Sequence, residues 1–277
     1  NYDRAFLDNK AALRSVLLTS GLAQTETVAM LWRGRAVVHP FSQDGQPVFI
    51  EELERWLIAD GGPFVIKPEN GGRGEGVYVL EVEGQALTCR RGTTRRAFRR
   101  FNRRPALIER RIAQAEFWHT LYPETLNTIR VLTLWADGAD RPFLARAVQR
   151  IGVAATVPAD NFTAGGIVAP IDLASGRLHA GFRRSGGAER LTHHPESGAQ
   201  IEGRTLPGWS AIQDTVLRAA SSLPVFTYVG WDVFVDSSGK VIVGEGNGRM
   251  PVDMLQPQSG LLSDPAIRAF YRGCGAV

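Results

Sequence analysis

The segment VGWDVFVDSSGKVIVGEGN, residues 229–247, constrains the fold of this chain more than any other. Two runs of β-forming residues flank a Ser-Gly turn signal, so the segment is expected to form an antiparallel hairpin. With Ser238-Gly239 as a two-residue turn, Ser237 faces Lys240, and counting back along both arms pairs Asp232 with Glu245. Asn247, two residues on, shares their face because strand side chains alternate. Carboxylates opposed across two strands repel one another. A hard divalent cation would resolve that conflict, and Asp232, Glu245 and Asn247 offer the oxygen ligands that suit Mg²⁺ or Mn²⁺. An exposed polar hairpin end, with a bulge that shifts the register, is the other reading of the same residues.

Hairpins recur upstream. FVIKP (64–68) and VYVLEV (77–82) read as strands joined by the glycine-rich stretch NGGRGEG, and NTIRVLTLWA and PFLARAVQRIG flank the turn signal DGAD. ALIER (106–110) and IVAPIDL add two more strands. Helical spacing covers 5–22, stopping at Gly21, then 50–58 and 93–102. A further helix over 207–223 places Trp209, Ile212, Val216, Leu217 and Ala220 along one face. The stretch between the first two helices reads as loop-rich. Strand runs mixed with separated helices predict an α+β protein with mainly antiparallel sheets.

Composition narrows the class. At 277 residues the chain can bury a large core, as one domain or two lobes, and 44% hydrophobic with 22% charged residues is a globular composition. No apolar run approaches the roughly 20 residues that span a bilayer. The polar start is not a signal peptide, and the absence of an initiator methionine predicts processing or excision from a longer protein. Cys89 and Cys274 lie far apart, which argues against a disulfide scaffold and suits a reducing, cytoplasmic setting. The net charge of +4 permits an anionic ligand without demanding one. Of the 32 basic residues only Lys10, Lys67 and Lys240 are lysines. In so arginine-biased a chain each lysine marks a candidate site for a compact ammonium. Lys240, just past the turn, reads as an exposed strand end.

KPENGGRGEGV is a second constellation. Its glycines allow positive φ and close approach of backbone N–H groups to an anion, and Lys67 could place an ammonium on a phosphate. It lacks the GxxxxGK[ST] of a P-loop and the GxGxxG of a dinucleotide fold, and a strand rather than a helix follows. A flexible hairpin tip accounts for it nearly as well. Arginines 90, 91, 95, 96, 99, 100, 103, 104, 110 and 111 form a stripe that could hold nucleic acid, an anionic polysaccharide or an acidic partner. A solvated face is the preferred reading, and nucleic acid is not an expected partner because no recognition module accompanies the stripe. The histidines, including the His193-His194 pair, lack spaced metal partners, and there is no nucleophilic triad.

Taken in order, FVIKPENGGRGEGV, LIERRI, ETLNTIRVLTL, DNFTAGGIVAPIDLASGRL, HPESGAQI, YVGWDVFV and EGNGRMPVDMLQ resemble the sugar-transfer-associated group of the ATP-grasp superfamily, related to glutamate-ligase-like enzymes. The resemblance covers essentially the whole chain. It implies two α+β lobes, 1–110 and 111–277, with mainly antiparallel sheets that grip ATP between them. Residue by residue, it implies that Lys10 and Lys67 bind nucleotide and that the loop carrying Gly71, Gly72, Gly74 and Gly76 closes over the phosphates. Glu109 matches the segment facing adenine, where backbone groups make the contacts, and Glu116 is the nearest acidic residue for the ribose. Arg130 and Arg150 match basic positions near the phosphates or an acyl phosphate. Asp232, Glu245 and Asn247 match the magnesium ligands, and Asn161, Gly165, Gly166 and Arg249 fall on the substrate side. The chain has almost nothing before the first lysine, so another domain or subunit is expected to complete the substrate site.

What the resemblance implies is ATP- and Mg²⁺-dependent joining of a small-molecule, sugar or peptide carboxylate to an amine, through an acyl phosphate. The alternatives are a phosphotransferase to a hydroxyl acceptor, on the same fold, and a polyanion-binding module with a vestigial ATP site.

Overall fold

The computed structural model describes residues 4–41, 45–71, 76–90, 93–101, 104–184 and 189–276. Of the residues singled out above, Gly72, Gly74, Arg91 and Arg103, and the side chain of Arg95, lie outside the described residues. The chain divides into two compact units. The smaller comprises Asn9–Ser15 and Thr25–Ala113; the larger comprises Asn1–Asp8, Val16–Gln24 and Gln114–Val277.

The first expected helix is two helices, α1 (Arg4–Asp8) and α2 (Lys10–Thr19). Asn9 separates them. It bridges to Asn70, and its Oδ1 accepts the Ala12 N–H at 2.9 Å, an N-cap that starts α2 at Lys10.

In the smaller unit, the stretch expected to be loop-rich holds three strands, β1 (Thr27–Trp32), β2 (Arg35–Val38) and β3 (Gln46–Phe49). The run TVAMLW does not alternate because most of it is buried, which hid its period. Its turn is a two-residue hairpin loop, in which Arg33 and Gly34 both take positive φ, 49° and 77°. There follow α3 (Ile50–Asp60), β4 (Phe64–Pro68), β5 (Tyr78–Glu83), β6 (Ala86–Cys89), α4 (Thr94–Phe101) and β7 (Ala106–Arg110). These strands form one sheet in the order β3-β2-β1-β7-β4-β5-β6, antiparallel at every step.

Leu53 and Leu57 of α3 and Ala97, Phe98 and Phe101 of α4 pack in one core with Phe64, Ile66, Leu80 and Ile108. Each fully buried large apolar side chain there contributes roughly 1.5–3 kcal/mol. Alternation then sends Lys67 of β4 and Glu109 of β7 to the opposite face from Ile66 and Ile108. Because β7 is flanked by β1 and β4, that placement buries Glu109, which is 3% exposed.

The larger unit carries α5 (Glu116–Leu121), β8 (Ile129–Leu134), β9 (Phe143–Ile151), β10 (Ile167–Pro170), β11 (Phe182–Arg183), α6 (Trp209–Ser221), β12 (Tyr228–Val235), β13 (Val241–Asn247) and α7 (Pro265–Gly273). Its strands form an antiparallel sheet in the order β11-β10-β9-β8-β12-β13. The stripe expected on α6 is buried at Trp209, Ile212, Val216 and Ala220, with Ala219 added. Another cluster joins Leu132, Leu134, Val148 and Val168 of the sheet to Met250, Met254, Leu255, Ile267 and Phe270. Arg130 and Arg150 belong to the same strands as Leu132 and Val148 at even spacing, so this face is apolar at one end and charged at the other.

The hairpin of β12 and β13 pairs Asp232 with Glu245, as counted from the sequence, but by a different route. The loop has three residues, not two: Asp236 N–H donates to Lys240 O at 3.0 Å, and Gly239 takes φ 82°. Asp236 Oδ1 holds that loop by accepting the Ser238 and Lys240 N–H groups, both at 2.9 Å. The pairing this creates is one residue off until a bulge at Gly244, between the Glu245 and Val243 partners of Asp232 and Val233, restores it. A Cβ at Gly244 would lie 2.8 Å from the Phe234 ring, so the bulge position needs glycine.

Candidate active site

Two groups of polar residues stand out, one in each unit. In the smaller unit, Lys10 begins α2 beside the glycine stretch: its N–H donates to Glu69 O at 3.1 Å and its Nζ to Gly71 O at 2.7 Å. Gly71 and Gly76 take φ 134° and 76°, which L side chains rarely adopt. Lys67 Nζ lies 2.8 Å from Glu109 Oε2, and Arg14 Nη2 lies 2.5 Å from Glu109 Oε1. Arg14 also donates to Thr25 Oγ1. Burial alone would push the Glu109 carboxyl up; Lys67 and Arg14 override it and bring it down to about 2. Two cations share one carboxylate, so this trio carries a net positive charge.

Arg14 is the residue that sequence reasoning missed here. The signal was its position one helical turn after Lys10, on the same face of α2. Its Nε and Nη1, and the nearby strand's Thr27 Oγ1, are buried without a hydrogen-bond partner among the described residues. A buried donor left unmade costs about 1–3 kcal/mol. Arg100 was also unassigned beyond the stripe. Its Nε would lie 2.9 Å from a Cβ at Gly76, so its guanidinium rests against the end of the glycine stretch.

The main chain of Glu109, the residue expected to face adenine, is paired with both β1 and β4. Glu116, expected at the ribose, is exposed at the first position of α5, where a carboxylate complements the helix N-terminus.

In the larger unit, Arg130, Arg150, Asp232, Glu245 and Asn247 come together on one face of the sheet. Arg130 lies directly opposite Asp232 and donates to it through Nε and, at 2.7 Å, Nη2. Arg150 Nη1 reaches the same carboxylate at 3.2 Å, while its Nη2 lies 2.6 Å from Asp160 Oδ1. Burial would raise the Asp232 carboxyl, yet Arg130 and Arg150 hold it below the usual carboxylate range. The conflict between Asp232 and Glu245 is therefore answered first by two arginines, which the sequence reading had assigned to phosphate instead. For Arg150, burial is outweighed by Asp160, Asp232 and Glu245, which keep it firmly charged.

Asp160 is a second residue that went unread. Its Oδ2 accepts the Thr128 N–H at 2.7 Å and the Thr128 hydroxyl at 2.6 Å. Burial nevertheless leaves its carboxyl above the usual range, against the pull of Arg150 and Thr128. The adjoining Asn161, Gly165 and Gly166 shape the turn that presents it. Asn161 Oδ1 caps the short helix Phe162–Ala164 by accepting Thr163 N–H at 3.1 Å, and Gly165 takes φ 105°. A Cβ on Gly166 would lie 2.9 Å from Asn161 O and 3.0 Å from Asp160 O. Arg249, two residues past β13, is exposed.

The donor chemistry of Asp232, Glu245 and Asn247 fits a nucleotide-bound Mg²⁺. Asn247 Nδ2 donates to Gly230 O at 3.2 Å, which leaves its Oδ1 as the ligand end. No group of three or more His, Cys, Asp or Glu side chains that could hold a metal alone occurs among the described residues. Mg²⁺ needs no such cage, since it is commonly held by one or two carboxylates plus substrate phosphates and water. His194 is structural: its Nδ1 accepts the Glu196 and Ser197 N–H groups at 3.2 and 3.0 Å, so Nε2–H donates to Gly152 O at 2.8 Å. Neither cysteine forms a disulfide, and no helix among the described residues is long and apolar enough to cross a membrane.

No curated protein sequence matches the chain. Solved structures share its fold at low identity. The biotin carboxylase domain of the Hydrogenobacter thermophilus 2-oxoglutarate carboxylase, in complex with MgADP and bicarbonate, gives a TM-score of 0.54 at 14% identity, over 98% of this chain and 46% of that one. VanG D-Ala:D-Ser ligase from Enterococcus faecalis gives 0.51 at 13% identity, over 98% and 62%. The N5-carboxyaminoimidazole ribonucleotide synthetase purK, in complex with ADP, gives 0.51 at 13% identity, over 89% and 46%. The chain thus spans about half to three fifths of the length of these structures. The family described as sugar-transfer associated ATP-grasp matches residues 2–267. The chain belongs to that family, and its two antiparallel sheets are the ATP-grasp α+β fold.

Proposed function

We propose that this chain is an ATP-dependent ligase that joins a carboxylate to an amine through an acyl phosphate. The observation that carries the reading is the Arg14–Glu109–Lys67 trio, which holds an ammonium at the strand end leading into the glycine stretch with net positive charge around it. Lys10, bonded to Gly71, adds a second ammonium at the same stretch. Such cations orient a triphosphate and neutralise it without moving during reaction. Asp232, Glu245 and Asn247 would hold Mg²⁺, which supplies Lewis-acid stabilisation of the β- and γ-phosphates when bound.

In the reaction, a carboxylate oxygen of the acid attacks the γ-phosphorus and ADP leaves with the bridging oxygen. The amine nitrogen then attacks the acyl carbon, phosphate departs, and the amine gives up a proton to form the amide. No covalent enzyme intermediate is needed. Arg130 and Arg150 serve chiefly by fixing Asp232, and their remaining N–H groups are available to charge that develops on the transferring phosphoryl group.

Several of the structures that share this fold carry ligase or synthetase names, and the family supports nucleotide and Mg²⁺ use. The test is a screen of paired acids and amines for ADP and phosphate release, with mass detection of the product. Amine-dependent phosphate release with an amide product supports the ligase. A stable phosphorylated product would make the chain a phosphotransferase instead.

A further inference from the structure

Arg14 is costly to keep where it is. Its side chain is 3% exposed, it is bonded only through Nη2, and its Nε and Nη1 have no partner among the described residues. A residue retained for stability alone would have its donors satisfied. What Arg14 does is touch Glu109, whose other oxygen anchors Lys67. An anchoring carboxylate by itself would cancel the charge of the lysine it holds. With Arg14 on its far oxygen, Glu109 fixes Lys67 while Arg14 and Glu109 together remain formally neutral, so the ammonium presents its full charge.

We propose that Arg14 is a positioning residue of the nucleotide site, acting through Glu109 to aim the Lys67 ammonium without lowering the charge it offers a phosphate. The proposal rests on the nucleotide reading above. It explains why a buried guanidinium with unmade hydrogen bonds sits behind a carboxylate that is itself behind a lysine. It also explains why arginine fits the innermost place: its charge persists under burial, whereas a lysine there would readily lose its proton.

The charge arithmetic supplies a clean experiment. Arg14→Met alone removes one positive charge and keeps the Glu109 anchor. The double variant Arg14→Met with Glu109→Gln restores the wild-type formal charge but loses the ionic anchor. Dissociation constants for Mg·ATP are measured by calorimetry for the wild type and both variants, with melting temperatures alongside. The account expects the double variant to bind Mg·ATP ~10-fold or more weakly than wild type, because truncating a buried, hydrogen-bonded charge pair has effects of at least that size. Its melting temperature should fall by a few degrees at most, because Arg14 and Glu109 give way to neutral groups and the Lys67 ammonium left behind is 15% exposed and can reach water. Wild-type affinity in the double variant would overturn the proposal, since charge alone would then suffice. A larger fall in melting temperature accompanying the loss of affinity would equally overturn it, as the mark of a structural role. A wild-type protein that binds no Mg·ATP would instead defeat the nucleotide reading, and this proposal with it.

Discussion

The two polar groups are built with the same parts in opposite proportion. In the smaller unit, Arg14 and Lys67 share the single carboxylate of Glu109. In the larger unit, Arg130 and Arg150 stand among three carboxylates, Asp160, Asp232 and Glu245. The first group has positive charge left over and suits phosphate; the second has negative charge left over and suits a cation. Each buries ions that would be expensive alone, and each does so by chaining them so that no charge stands unpaired. The lesson is that burial here serves orientation: the excess charge, not the paired charge, is what a ligand meets.

That contrast can be broken most forcefully by deleting the excess charge on either side. Lys67→Ala and Glu245→Ala should each lower turnover by about 100- to 1000-fold, the size expected when a preorganised electrostatic contact is lost, with unchanged circular dichroism. Full ADP release by either variant would sink the site assignment. Next in size is a change of stability. Asp232→Asn leaves two buried guanidinium groups short of their carboxylate, and should cost about 3–5 kcal/mol in urea unfolding. A loss well under that would mean the arginines are satisfied elsewhere.

Acid separates the two groups as well. The carboxyl of Glu109 is held at about 2, below its ordinary 4.5. Its contribution is therefore full above pH 4.5 and is lost as pH falls through about 2. The size is on the order of 3 kcal/mol. Glu109→Gln should flatten the stability profile across that window, measured by denaturant unfolding at stepped pH; an unchanged profile would show that the trio does not hold the carboxylate. The smallest effect is expected at Gly166→Ala. The added methyl meets the backbone of Asp160 and Asn161, which cannot swing aside, and should cost about 1–3 kcal/mol.

Much of this was legible in the sequence because it is local. The hairpin gave the Asp232–Glu245 pair, although the counted turn was one residue short and the bulge at Gly244 corrected it, two errors that cancelled. The helix over 209–221 and the strands around the glycine stretch follow from periodicity and turn residues alone. β1 was lost because a strand buried on both faces has no period to read, whereas β2 and β3, at four residues each, are too short to show one. Arg14 and Asp160 were lost for another reason. Their meaning lies in partners on other elements: Glu109 is 95 residues from Arg14, and Thr128 and Arg150 come 32 and 10 residues before Asp160. No spacing rule connects such residues; only the strand order of each sheet does. The arginine stripe is partly explained in the same way, since Arg90 and Arg111 pair with Glu81, and Arg110 with Glu26 and Asp60.

The central claim is a division of labour, with the smaller unit's cations for the triphosphate and the larger unit's carboxylates for the metal. It is tested most directly by titrating ATP, with and without Mg²⁺, into the wild type, Lys67→Ala and Glu245→Ala. The account predicts that Lys67→Ala weakens binding in both conditions, whereas Glu245→Ala weakens only the part of the affinity that Mg²⁺ adds. Equal losses in the two variants, with the same response to Mg²⁺, would contradict it.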